Sequence, residues 1–102
     1  MLVTPAAADE LQLIEALRRG DETAFVTLVD RYHTALVRLA ALYVPNRTVA
    51  EDVAQETWMG VIRGIGRFEG RSSLKTWIFH ILVNRAKTRG EKRIEREAGR
   101  KG

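Results

Sequence analysis

Residues 21–44 read DETAFVTLVDRYHTALVRLAALYV, and the spacing of apolar residues in this stretch decides the fold. Phe25, Leu28, Val29, Tyr32, Ala35, Leu36, Leu39, Leu42 and Tyr43 recur three and then four residues apart, the period that gathers side chains onto one face of an α-helix. Asp21 offers a side-chain acceptor to the first unpaired N–H groups. Pro45 disfavours helical geometry in the residue before it and Asn46 suits a turn, so the spacing predicts a core helix ending near Val44.

The rest of the chain is read outward from this helix. Upstream, Leu11, Ile14 and Leu17 share one face of a short helix, which Asp9 or a neighbour caps and Gly20 stops in a left-handed conformation. Downstream, Thr48 with Glu51 three residues on forms a capping box that opens a third helix running to Gly64 and Gly66. Ser72 or Ser73 caps a fourth helix, from about Leu74 into the charged tail. No stretch alternates strictly enough for a strand and no internal repeat is found. The expected fold class is all-α, a compact bundle of about four helices with the last one long and basic.

With 102 residues, 45% of them apolar and 29% charged, the chain suits one domain with one core. No apolar run approaches the roughly 20 residues of a membrane span, and MLVTPAAADE lacks the basic start and apolar stretch of a signal peptide. A cytoplasmic location and no membrane insertion are expected. The absence of cysteine excludes disulfides, thiolate nucleophiles and Cys-ligated zinc.

Charge divides the chain in two. Residues 1–62 carry five arginines against nine carboxylates, a net of −4, and residues 63–102 carry twelve lysines and arginines against four glutamates, a net of +8. A basic half of this kind is the footprint of a polyanion partner, because neutralised phosphates release their condensed counterions. A solvated helix surface is the alternative.

The third and fourth helices have unusual faces. Val53, Ala54, Thr57, Trp58, Val61 and Ile65 can turn inward, while Asp52, Gln55, Glu56 and Met59 line a second, acidic and amide-bearing face. From Trp77 to Val83 the sequence WIFHILV has one polar residue, so this part of the fourth helix should touch protein on most sides. His80 and Asn84 stand four apart, and Lys87 and Thr88 continue their polar stripe. Catalytic equipment is sparse. His33 and His80 lie on different helices, with no HExxH, no paired aspartates and no phosphate-binding glycine loop nearby, so the chain is expected not to be an enzyme and to need no cofactor.

At these residues the chain resembles a known family. AEDVAQETWMGVIRGIGRFEGRSSLKTWIFHILVNRAK is similar to region 2 of bacterial sigma factors of the sigma-70 family, in the extracytoplasmic-function (ECF) group, and LIEALRRGDETAFVTLVDRYHTALVRLAALYV resembles that group's amino-terminal helices. The resemblance implies a transcription initiation factor domain. The helix holding Asp52, Gln55, Glu56, Met59 and Ile62 would contact the clamp helices of the beta-prime subunit of RNA polymerase core. The loop with Arg67, Phe68, Glu69, Gly70, Arg71, Ser72, Ser73 and Lys75 would capture a base flipped from the non-template strand of the minus-ten promoter element. Thr76, Trp77, His80, Ile81, Asn84, Arg85 and Thr88 on the following helix would read and wedge the adjoining duplex, and an anti-sigma factor is expected as a further partner.

The loop suits that work on physical grounds. A base leaving the stack loses a few kcal/mol, which a binding site must offset. Gly70, Ser72 and Ser73 let a backbone approach closely, the N–H groups of a helix start bind base edges or phosphate, and Arg67, Arg71 and Lys75 supply charge. Aromatic stacking contributes about 1–3 kcal/mol per base, available from Phe68 or Trp77. Trp58, Phe68 and Phe79 read first as core residues, and Trp77 suits either role.

Departures from the family pattern bear on function. Primary sigma factors carry two adjacent tryptophans as a melting wedge, whereas Ile78 follows Trp77 here, which implies weaker melting and stricter promoter choice. The helix-turn-helix module that reads the minus-thirty-five element does not occur in the 102 residues, and TRGEKRIEREAGRKG reads as a helix leading to a linker. A piece of a longer protein is expected, with 1–98 as the region 2 domain and 99–102 as charged tail or linker start. Two alternatives stand beside this reading. One is a small helix-turn-helix module for duplex DNA, and the other is a protein-interaction domain bound by an anti-sigma factor.

Overall fold

The computed structural model describes the backbone of residues 5–101 and the side chains of residues 9–91. It holds α1 (Pro5–Arg18), α2 (Glu22–Ala40), α3 (Arg47–Gly64), a 3₁₀ turn (Ile65–Arg67) and α4 (Leu74–Lys101), with no strand among the described residues. This is the expected four-helix all-α architecture. The expectation about a leader peptide falls partly on residues 1–4, outside the described residues.

Helix α1 starts four residues before the expected cap at Asp9. Pro5 opens it, at a position where a missing N–H breaks no intrahelical bond. Ile14 and Leu17 are buried as expected, but Leu11 is 56% exposed. Gly20 ends the helix at φ 77°, with its N–H bonded to the Leu17 carbonyl and the Asp21 N–H to the Ala16 carbonyl. Asp21 then caps α2, its side chain accepting from the Ala24 N–H at 3.2 Å.

In α2, Leu28 and Leu36 are fully buried, with Phe25, Val29, Tyr32 and Leu39 partly buried against the core. The helix stops at Ala40, earlier than the apolar spacing predicts. The chain tightens into turns in which the Leu42 N–H bonds to the Leu39 carbonyl and the Tyr43 N–H to the Ala40 carbonyl. Leu42 and Tyr43, which continue the apolar pattern, therefore face solvent, and Ala35 is exposed as well.

The expected capping box at Thr48 is not the one used. Asn46, extended at φ −156°, accepts from the Val49 N–H at 3.0 Å and starts α3 at Arg47. Glu51 instead accepts from Arg47 one turn back, at 3.2 Å. Ala50, Val53, Ala54, Thr57, Trp58 and Val61 form the buried face of α3. Thr57 satisfies its hydroxyl by donating to the Val53 carbonyl at 2.8 Å, and the Trp58 indole N–H donates to His33 Nδ1 at 3.1 Å. His33 is thus a structural acceptor.

Helix α4 begins where Ser73 Oγ accepts from the Thr76 N–H at 3.1 Å. Ile78, Leu82 and Ala86 form its fully buried ridge, and Trp77, Phe79, Ile81 and Val83 are all partly buried, which fulfils the expectation for WIFHILV. Two glycines mark close helix contacts. A Cβ on Gly64 would come within 3.0 Å of the Trp77 ring, and one on Gly90 would come within 2.8 Å of the Tyr43 carbonyl oxygen.

Candidate functional site

The segment joining α3 to α4 is pinned at both ends and exposed between. Phe68 is 6% and Leu74 is 3% exposed, while residues 69–73 all lie in solvent. Gly70 has φ 75°, a conformation that other residues rarely adopt, and it bends the loop. Arg71 and Glu69 pair at 3.1 Å, both well exposed, so their bond adds little rigidity. Arg67, Lys75 and Arg71 give the loop its positive rim.

The aromatic residues here divide. Phe68 packs into the core with its ring 4.9 Å from that of Trp77, so in this structure it is a floor beneath the loop and no open stacking platform. Trp77 lies against Gly64 and keeps part of its surface accessible. Trp58 is buried and meets Phe25 edge-on, and Phe79 meets Tyr32 in the same way while Lys75 Nζ lies 5.7 Å above its ring.

The start of α4 holds fewer spare donors than the sequence suggests. The Leu74 N–H donates to Glu10 Oε1 at 2.6 Å and the Thr76 N–H to Ser73. Among the described residues, Lys75 keeps the free N–H of that first turn. Arg18 from α1 donates through Nε to the Ile65 carbonyl at 3.3 Å and through Nη2 to the Phe68 carbonyl. Glu10 and Arg18 were not singled out by the sequence; the one local signal is that Glu10, Ile14 and Arg18 are spaced by four, on one side of α1.

Below the loop, Thr76, His80, Asn84 and Thr88 are exposed at every fourth position of α4. Ile81 and Arg85 are partly buried beside them. Arg85 lies over Gly60, and its Nε is buried without a hydrogen-bond partner. It lines a groove of about 470 Å³ with Glu56, Ile81, Asn84, Thr88 and Arg89.

The outward face of α3 is where the spacing puts it. Asp52, Gln55, Met59 and Ile62 are exposed, the last two at 48% and 52%, and Glu56 is half-buried. Arg89 of α4 reaches across to this face, donating to Glu56 Oε1 at 2.7 Å and approaching Asp52 Oδ2 at 4.0 Å. The α3 and α4 faces therefore meet at one guanidinium, a contact absent from the sequence reading. Among the described residues no three His, Cys, Asp or Glu side chains cluster as a metal site, and no helix is long and apolar enough to cross a membrane.

Comparison with known proteins bears on these faces. The family described as Sigma-70 region 2 matches residues 28–94. The RNA polymerase sigma-H factor of Pseudomonas aeruginosa is 40% identical over 76 residues, which span 74% of this chain and 39% of the relative. The ECF RNA polymerase sigma-E factor of Escherichia coli K12 is 40% identical over 75 residues, with the same two coverages. The chain thus spans about two fifths of the length of the curated relatives it matches. Among solved structures, an NMR structure of an engineered region 2 of sigmaE in complex with GTAAAA aligns with a TM-score of 0.75 at 31% identity, over 92% of this chain and 97% of that one.

Proposed function

The chain belongs to the sigma-70 region 2 family as a member of its ECF branch, and on that premise we propose that it recognises the minus-ten promoter element while docked on RNA polymerase core. The loop at 69–73 takes an unstacked base of the non-template strand, and the α4 stripe of Thr76, His80, Asn84 and Thr88 contacts the adjoining nucleotides. The outward face of α3 contacts the beta-prime clamp helices. The role is that of an initiation factor in the cytoplasm, and no catalytic step is assigned to it.

The observation that carries this reading is the continuity of the exposed loop with the polar stripe of α4, on a half of the chain with net charge +8. Arg67, Arg71 and Lys75 draw phosphate to the loop, Gly70 and the serines leave room for a base, and Trp77 is the aromatic with surface to spare. The engineered sigmaE region 2 that shares this fold forms a complex with GTAAAA, which supports a ligand of similar kind here. Burial of the apolar girth of α4 against α2 and α3 leaves one narrow stripe and disfavours a recognition helix sunk in a major groove.

Exposed Met59 and Ile62 amid Asp52 and Gln55 make the α3 face suited to a protein partner. Polymerase is the partner favoured, and an anti-sigma factor that covers the same apolar side chains is the second reading. The deciding experiment compares binding to single-stranded GTAAAA, to the same sequence as a duplex and to isolated beta-prime clamp helices. Preference for the single strand together with clamp-helix binding is expected. A preference for duplex DNA, or no clamp binding, would overturn the corresponding half of the proposal.

A further inference from the structure

Helix α1 touches the α3–α4 connection at two places, one on each side of the exposed loop. We propose that Arg18 and Glu10 are positioning residues that brace the loop from both ends, so that α1 sets base selectivity at a site it does not itself form. The inference rests on the reading of residues 69–73 as the base-capturing loop.

Arg18 binds two carbonyls that bracket the 3₁₀ turn, that of Ile65 at its first residue and that of Phe68 just past its last. Glu10 accepts the N–H of Leu74, the residue that opens α4, at 2.6 Å. A carboxylate at that position also meets the positive end of the α4 dipole. Among the hydrogen bonds of the described residues, these are the only ones that bring a side chain from another helix to residues 65–74.

Geometry makes α1 a rod of fixed length between the two ties. Glu10 and Arg18 are eight residues apart, about 12 Å at 1.5 Å per residue. Buried Ile14 lies midway and fixes the rod to the core. The peptide units from Phe68 to Leu74 would span about 20 Å if extended, so ends tied to such a rod oblige the loop to bow outward. Gly70 at φ 75° is where it bends. A loop held in this shape before it meets DNA loses less conformational freedom on binding.

The ties are separable from the fold. Arg18 is exposed, and α1 is anchored by Ile14 and Leu17, so removing the guanidinium leaves the helix in place.

The test uses the 102-residue chain as wild type and as Arg18→Ala, Glu10→Ala, Glu10→Gln and Gly70→Val variants, with circular dichroism confirming equal helicity. Each is titrated with GTAAAA and with six-nucleotide strands in which every base is replaced in turn. A Cβ at Gly70 would meet nothing within 4 Å, so Gly70→Val acts chiefly through the loop backbone, which it strains at φ 75°, and the position at which it loses discrimination defines the captured base. Arg18→Ala and Glu10→Ala are expected to reduce discrimination at that same position at least about fivefold, leaving other positions and the salt dependence unchanged. Glu10→Gln, which retains an acceptor oxygen, should restore most of the loss. Hydrogen exchange at the Leu74 amide should accelerate in Glu10→Ala and not in Glu10→Gln.

Loss at the captured base in Gly70→Val but not in the α1 variants would overturn the brace and leave the base-reading loop standing. Equal weakening toward every strand in the α1 variants would overturn it too. If Gly70→Val keeps full discrimination at every position, the loop does not read a base and the inference falls with that reading.

Discussion

Replacing Gly90 by alanine gives a result whose sign depends on the packing of α4. In an exposed helix interior the change from glycine to alanine gains about 1 kcal/mol, because alanine loses less backbone freedom on folding. Gly90 is different. An added methyl group would stand 2.8 Å from the Tyr43 carbonyl oxygen, closer than Cβ atoms come to any neighbour. The obstacle is backbone, in the turn that links α2 to α3, and it has no rotamer to escape into. Overpacking of this kind costs about 1–3 kcal/mol, so it matches or exceeds the propensity gain. The net expectation is a loss of up to about 2 kcal/mol, and each kcal/mol lowers the melting temperature of a domain this size by about 4–8 °C. Thermal melts followed at 222 nm would measure it, with Gly66→Ala as comparison because that site is open. A rise in melting temperature for Gly90→Ala would refute the close approach of α4 to the α2–α3 turn, and with it the placement of the distal end of the proposed reading stripe.

The other predictions concern the proposed faces. Gln55→Ala with Met59→Ala should weaken binding to beta-prime clamp helices at unchanged helicity, since both side chains are exposed; a pull-down that shows equal recovery would count against the α3 face. Asn84→Ala should reduce base discrimination by about 1–3 kcal/mol at one nucleotide next to the captured base, read from titrations of substituted strands. Arg71→Ala should make the logarithmic salt dependence of single-strand binding shallower by about 0.7, as expected for one lost phosphate contact.

The fold was legible where one periodic signal ran through the core. Phe25 to Leu39 on α2, apart from the exposed Ala35, and Val53 to Ile65 on the third helix and its 3₁₀ turn kept their period, and those side chains are the ones turned inward. The ends of elements were less legible. Leu42 and Tyr43 prolong the apolar period of α2 past its last helical residue, because an exposed apolar side chain costs too little to be excluded from a turn. Asn46 outcompeted Thr48 as the α3 cap, and both carry a suitable oxygen; the extended backbone at Asn46 decided between them. In the candidate site, the α3 face and the α4 stripe could be placed because each lies on a single helix. The ties from Arg18 to Phe68 and from Glu10 to Leu74 join residues 50 and 64 apart, and no local spacing reports such contacts.

The stripe of Thr76, His80, Asn84 and Thr88 repeats every four residues on a helix that turns every 3.6. Each step therefore overshoots a full turn by about 40°, and from first to last the line climbs about 18 Å while veering about 120° around the axis. It is a thread, not a straight edge. A stiff rod laid against one end would leave the other end pointing away from it, whereas a supple strand could follow the thread and present successive nucleotides from changing directions. If the stripe contacts nucleic acid as proposed, the pitch of its four polar positions would discriminate between ligands by their flexibility, before any base edge is recognised.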